Sequence, residues 1–409
     1  MNPACRFCDA ALRREVVDLG MSPPSNAFVS PEHAGEPETF YPLRLLACER
    51  CGLVQLPNYR RPEETFDHYP YMSSFSTSWL DHVSRYADMM RERLTLTTKS
   101  FVVEIASNDG HLLKNFSNAG VPVLGIEPAR NIAAAAVAAG IPTRAAYFGA
   151  TLAGDLAAEG KRADLIVANN VLAHVPGLND FVAGIGALLE PLGVATLEFP
   201  HLAQLIANTE FDTIYHEHLS YFSLSTAQEI FAAHGLRIFD VEELSTHGGS
   251  LRIYVAHAAS PHADTAAVQR VVTAERAAGL GSDVAYEQFA KRVAAVKRSL
   301  LTFLIDAAAH DKRVAGYGAP AKATTLLNYC GVRRDLIEFT CDRNPLKQGK
   351  LIPGVHIPIR APAAIEEYRP DYILIFPWNL AAEIGEQLAP VHAWGARLVV
   401  PIPQAAVLA

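Results

Sequence analysis

The stretch Phe211-Asp-Thr-Ile-Tyr-His-Glu-His-Leu-Ser-Tyr-Phe222 crowds two histidines, a glutamate and two tyrosines into one short segment. These side chains suit proton chemistry. A histidine with a pKa near neutrality can remove a proton, and a neighbouring carboxylate can fix its tautomer or contact a substrate hydroxyl. Tyrosine hydroxyls can hold a developing oxyanion. A His-Glu-His run also suggests a metal, but the helical zinc motif needs its histidines four apart; here they are two apart, with no other ligand in view. An ordinary polar surface loop is the competing reading.

A second group carries metal chemistry. Cys5-Arg-Phe-Cys8 and Cys48-Glu-Arg-Cys51-Gly52 are matched pairs, each spaced for a turn that points both sulfurs inward. Gly52 can take the positive φ that follows such a knuckle. Four thiolates make the closed tetrahedral set that structural Zn2+ prefers. A reducing cytosol argues against a disulfide framework, and a thioredoxin-type site needs one pair between a strand and a helix. Cys330 and Cys341 stand alone in apolar surroundings and read as buried core thiols. Around the knuckles, turns at Pro23, Pro24, Pro31 and Pro37 and strand-like runs Tyr41–Cys48 and Leu53–Leu56 outline a small metal-nucleated domain, residues 1–66.

Something must position these groups. From about Lys99 strand and helix signals alternate: a strand in Ser100–Ala106, a helix His111–Phe116, a strand Val121–Ile126 and a helix Asn131–Ala139. Strands Asp164–Ala168 and Val194–Phe199 follow. Such alternation implies a parallel, doubly wound α/β sheet whose ligand crevice lies beyond the strand carboxyl ends. The first turn, Glu104-Ile-Ala-Ser-Asn-Asp-Gly110, has one glycine and opens with an acid, unlike the GxGxxG of a dinucleotide site. It resembles the first motif of class I methyltransferases, which bind S-adenosylmethionine. That resemblance implies that Glu104 meets the cationic amino group, while the turn Ala106–Asn108–Gly110 lets backbone approach the cofactor. Glu127 would grip the ribose hydroxyls, and Asn169 and Asn170 would line the methionine side or the adenine. Ala106 stands where a glycine is common.

The helix Ser225–His234, with capping-box spacing at Ser225 and Gln228, precedes two strands, Leu236–Val241 and Ser250–His257. They look like the antiparallel hairpin that completes a methyltransferase sheet, closing residues 67–257. Residues 258–409 begin as connecting helices. They continue as a smaller Rossmann-like unit with strands Arg313–Tyr317, Leu336–Cys341, Tyr372–Phe376 and Arg397–Ile402. Its turn Gly316-Tyr-Gly318-Ala-Pro-Ala-Lys322 and helix N-terminus suit a phosphate, though such glycines serve close strand–helix packing about as well.

The 409 residues suggest two or three domains at roughly 100–200 residues each. With 50% hydrophobic and 19% charged residues, long disorder is excluded. A net charge of −8 argues against nucleic acid as a partner. No apolar run approaches the ~20 residues of a membrane span, and Met1–Asp9 has no signal-peptide core. A cytoplasmic protein is expected, monomeric by default.

Taken in order, Cys5/Cys8/Cys48/Cys51, Glu104–Gly110, Asn170-Val-Leu-Ala-His174-Val and Tyr215-His-Glu-His218 resemble the sugar C-methyltransferase family across essentially the full chain. Those enzymes act on nucleotide-linked 4-keto deoxysugars, such as the precursors of tetronitrose or mycarose. The resemblance implies methyl transfer from S-adenosylmethionine to C-3 of a dTDP-linked 4-keto sugar. His218 would be the base that leaves an enolate, Glu217 would position the sugar or the imidazole, and Tyr215 would anchor the sugar. His174 and Tyr69 match further active-site positions, although a helix-entry histidine and a packed tyrosine are the plainer readings. The second Rossmann unit, through Gly316, Gly318, Lys322 and Asn379, would hold the nucleotide diphosphate. Other readings are an O- or N-methyltransferase, an NAD-dependent sugar-nucleotide oxidoreductase and a non-catalytic sensor.

Overall fold

The computed structural model describes residues 3–61 and 77–408. Near the N-terminus, β1 (Arg14–Ser22), β2 (Tyr41–Ala47) and β3 (Val54–Gln55) form an antiparallel sheet. β1 has no counterpart in the sequence reading. Register shifts after Glu15 and Asp18 interrupt its alternation of buried and exposed residues, so the period-2 signal is weak.

The middle sheet holds β4 (Val102–Ile105), β5 (Val123–Ile126), β6 (Thr143–Arg144), β7 (Ala163–Asn169) and β8 (Leu189–Pro200) as parallel neighbours. Val102–Ile105 is buried at every position, as a strand covered on both faces must be. The chain then leaves this sheet: β9 (Ser220–Tyr221) pairs with β3, pinning the histidine-rich segment to the N-terminal unit. β10 (Leu236–Leu244) and β11 (Ser250–His257) return as the expected hairpin, with β11 antiparallel to both β8 and β10. The sheet order is β6-β5-β4-β7-β8-β11-β10.

The helix before the hairpin, Leu224–Ala232, is capped by Ser223, whose Oγ accepts the Thr226 N–H at 3.0 Å, and not by Ser225. Ser225 is engaged elsewhere: its Oγ donates to the buried Glu275 at 2.6 Å, a partner 50 residues away. Gly235 follows the helix at φ 71°, a left-handed position that suits glycine after a helix.

Two connecting helices, Ala266–Ala277 and Asp283–Ala309, lead to the last unit. The longer one buries Tyr286, Phe289, Val293, Val296, Leu300, Leu304 and Ala307, a stripe at three- and four-residue spacing. β12 (Val314–Tyr317), β13 (Thr340–Cys341), β14 (Ile359–Arg360), β15 (Tyr372–Ile375) and β16 (Arg397–Val400) are parallel, with β17 (Ala406–Val407) antiparallel at the edge. Cys330 and Cys341 are buried core thiols.

The hydrophobic cores cut across these sheets. One cluster joins Val17 and Leu45 of the N-terminal sheet to Phe211, Phe289, Leu326 and Phe376. Another joins Cys5, Cys48 and Cys51 to Ile105, Phe199 and Leu251. The N-terminal sheet therefore shares its hydrophobic burial with both larger units. No helix among the described residues is long and apolar enough to cross a membrane.

Candidate active site

The four predicted cysteines converge. Their sulfurs lie within 4.8 Å of one another, with Cys5–Cys51 at 3.6 Å and Cys8–Cys48 at 3.5 Å. A Zn–S bond of about 2.3 Å implies tetrahedral sulfur–sulfur edges of ~3.8 Å, so the set fits zinc. Gly52 has φ 73° and donates its N–H to the Cys48 carbonyl at 2.9 Å, closing the knuckle. The Gln55 side chain donates to Cys5 Sγ at 3.1 Å, a donor suited to a thiolate that carries ligand charge.

At the carboxyl end of β4 the chain turns tightly. Ala106, Asn108 and Gly110 have φ of 55°, 47° and 79°. The left-handed Ala106 explains why glycine is common there: a Cβ in that conformation costs roughly 1 kcal/mol. Glu104 is buried, and its carboxyl is pushed well up by desolvation and by the charges of Glu127 and Asp109. Glu127 accepts the N–H groups of Asn108 and Ala129 at 2.9 and 2.8 Å, which fixes it at the end of β5. Glu104 Oε2, both side-chain polar atoms of Asn169 and Oδ1 of Asn170 are buried without protein partners. Each orphan costs about 1–3 kcal/mol unless a ligand meets it. A cofactor bearing a cation, hydroxyls and an adenine matches this acidic, donor- and acceptor-lined turn, so these residues fit S-adenosylmethionine.

Beyond β7 and β8 lie the histidines. His218 Nδ1 is 3.0 Å from the Thr213 carbonyl, and Nε2 is 2.8 Å from the Tyr215 hydroxyl. A carbonyl can only accept, so Nδ1 carries the proton and Nε2 is the basic nitrogen, taking the Tyr215 O–H. Burial, His174, His247 and Lys322 together hold the imidazole well below its ordinary pKa. His174 sits in the turn Leu172–His174; its Nδ1 donates to the Glu217 carbonyl at 2.6 Å, and its ring centroid is 4.8 Å from that of His218. Burial is the largest effect lowering its pKa.

Glu217 joins this cluster through its backbone. Its carboxylate accepts Ser25 Oγ–H at 2.8 Å and the Asn26 N–H at 3.4 Å, anchoring the loop to the N-terminal unit. The orientation of His218 comes instead from Thr213 and Tyr215. Tyr69 lies outside the described residues.

Lys322 and Asn379 meet: Nζ donates to Asn379 Oδ1 at 2.7 Å and lies 4.3 Å over the Trp378 ring. Trp378 Nε1 donates to the fully buried Asp212 at 2.8 Å. Desolvation pushes Asp212 up to about 6 and Glu210 up to about 7, with Lys322 opposing both. Gly316 and Gly318 have packing roles. A Cβ on Gly316 would sit 2.5 Å from Phe376 and 2.8 Å from Thr340, and one on Gly318 would sit 2.5 Å from Pro377.

Three residues of this region went unnoticed in the sequence. Asp212 lies inside the histidine-rich stretch and Trp378 next to Asn379, but nothing local marks them as partners. His247 is left-handed, φ 55°, and its Nε2 is 3.4 Å from Asn170 Nδ2. Only the preceding position to Gly248-Gly249 hinted at a special backbone.

Residues 245–403 match the family described as the C-methyltransferase C-terminal domain, 77–241 a methyltransferase domain, and 5–66 a zinc binding domain. Over 404 residues the chain is 37% identical to C-methyltransferase NovU of Streptomyces niveus, covering 99% of this chain and 96% of the relative. The chain belongs to the C-methyltransferase family. Among solved structures, the magnesium protoporphyrin IX methyltransferase of Synechocystis PCC 6803 with bound SAM overlaps it at 14% identity, 44% of this chain, 78% of that chain and TM-score 0.33. An S-adenosylmethionine-dependent methyltransferase from Clostridium acetobutylicum does so at 13%, 44%, 92% and 0.35. By its family matches, this C-methyltransferase takes S-adenosylmethionine as its methyl donor and carries a four-cysteine zinc-binding unit. Transfer to carbon sets aside the oxygen, nitrogen and hydride-transfer readings.

Proposed function

We propose that this C-methyltransferase acts on C-3 of a dTDP-linked 4-keto deoxysugar, with His218 as the base. The observation that carries the reading is the fixed tautomer of His218. With Nδ1–H committed to Thr213, a neutral Nε2 faces the Tyr215 hydroxyl, and the His174 ring lies 4.8 Å from the imidazole. A carbon next to a ketone is acidic enough for such a base.

In this reading Tyr215 yields its hydrogen bond to the incoming sugar, and Nε2 takes the C3 proton. The C3–H electrons become the enolate π bond while charge passes to the C4 oxygen. Bound S-adenosylmethionine supplies an electrophilic methyl on its sulfonium. That methyl would pass to the enolate carbon, with S-adenosylhomocysteine as the leaving group, while His218 holds the proton until solvent removes it. Tyr215, its hydroxyl released from Nε2, is the donor for the developing oxyanion, while His174, with Nδ1–H committed to the Glu217 carbonyl, packs beside His218. Glu217 acts by holding the loop. Lys322 and Asn379 bind the diphosphate side of the substrate, supported by the half-buried cation beside Trp378. Tyr69 is proposed at the sugar on family resemblance alone, and the protein is proposed to work as a monomer in the cytoplasm.

The test is deuterium wash-in to a dTDP-4-keto-6-deoxyhexose with S-adenosylhomocysteine bound, comparing wild type with His218→Asn. Exchange at C3 that vanishes in the variant supports the assignment. Exchange at C5, the other carbon next to the ketone, would move the acceptor while keeping the base. Methyl transfer with no exchange at either carbon would remove His218 from that role.

A further inference from the structure

We propose that Arg6, between the cysteines of the first knuckle, is a positioning residue that couples the zinc site to the backbone bearing His218 and His174. The inference rests on the reading of His218 as base. Arg6 Nη1 donates to the Leu219 carbonyl and to Ser220 Oγ, the latter at 3.1 Å, and Nη2 donates to the Leu56 carbonyl at 2.9 Å. Its backbone N–H meets Gln55 Oε1 at 3.0 Å, and the same amide reaches Cys5 Sγ at 3.1 Å. With ligands on both sides of it in sequence, Arg6 projects from a turn that the metal makes rigid.

The Leu219 peptide is the other end of the link. It directly follows His218, and its N–H donates at 2.7 Å to the carbonyl of Ala173, which directly precedes His174. Its carbonyl takes Arg6 and also the Leu56 N–H at 3.0 Å. Through its two flanking peptide groups, Leu219 therefore ties Arg6 on one side to the backbone of both imidazoles on the other. A planar guanidinium can hold two carbonyls and a hydroxyl in one fixed fork, which an ammonium cannot.

The test uses the full-length zinc-loaded protein as wild type, Arg6→Ala and Arg6→Lys. Zinc per chain, S-adenosylhomocysteine affinity and the pH profile of C3 exchange are measured on each. The expected result is unchanged zinc and cofactor affinity, with exchange slowed roughly 10–100-fold in both variants, the usual cost of losing an outer-shell partner. The acid limb of the profile should also move up toward the ordinary imidazole range, because a loosened loop admits water to His218. Millimolar guanidinium should restore part of the rate in Arg6→Ala. Wild-type exchange with an unmoved acid limb in either zinc-loaded variant would overturn the proposal. Loss of zinc in both would do so too, since Arg6 would then serve the metal site itself. Absence of exchange in the wild type would instead defeat the base assignment, and this proposal with it.

Discussion

The imidazole of His218 is surrounded by His174, His247 and Lys322, each of which disfavours positive charge on it, and desolvation acts in the same direction. A base must be neutral to accept a proton. With its pKa well below 6.5, His218 is neutral throughout the physiological range. Exchange should therefore be flat from neutral pH upward and fall only as pH drops through that depressed value; an acid limb above neutrality in a pH–rate profile would contradict this. Tyr215→Phe removes the hydroxyl 2.8 Å from Nε2 and should slow exchange by about 10²-fold, read by NMR, if the phenol serves the proton or oxyanion. Ala106 is a different case. Its φ of 55° is strained for a Cβ, so Ala106→Gly should leave stability unchanged or raise it by up to about 1 kcal/mol in urea unfolding.

At the scale of the element, Gly316 within β12 carries two meanings that its sequence leaves open, and its packing decides between them. Gly316→Ala places a methyl 2.5 Å from the Phe376 ring and 2.8 Å from Thr340 Oγ1. Overpacking of that kind costs about 1–3 kcal/mol. The expected outcome is a lower urea midpoint with and without nucleotide; an unchanged midpoint with weakened nucleotide binding would return that glycine to the ligand. The helix Leu224–Ala232 shows why local patterns can miss by two residues. Ser225 and Gln228 have the capping spacing, yet Glu275, arriving from a distant helix, takes Ser225, and Ser223 becomes the cap. Ladder and cap signals are short-range, whereas the partner that decided this case is 50 residues away.

For the whole molecule, the segment from Phe211 to Phe222 is held by all three units: Arg6, Ser25 and Asn26 from the first, Ala173 from the second, and Thr325 and Trp378 from the third. Asp212 is the buried carboxylate at the last of these contacts. Its folded pKa of about 6 lies above its ordinary 3.8, so the folded state binds the extra proton and stability declines as pH rises between those values. Asp212→Asn removes that dependence. Its stability relative to wild type should rise by on the order of 2 kcal/mol from pH 4 to pH 6 and stay level above, measured by denaturation at several pH values. A difference that does not vary with pH would show that Asp212 is ionised in both states.

The sequence by itself determined the chemistry available and the units that carry it. Cys5, Cys8, Cys48 and Cys51 announce a metal through spacing alone, because a knuckle is a local structure. The alternation from Lys99 onward announces the doubly wound sheet, because apolar period is also local, and it extends to the β10–β11 hairpin. What only the tertiary structure decided is how groups far apart in the chain meet. It pairs β9 with β3, ties Glu217 to Ser25, gives His218 its tautomer through Thr213, and buries Asp212 beneath Trp378. No short-range pattern encodes these contacts, because each is set by where a separate unit docks once its own core has formed.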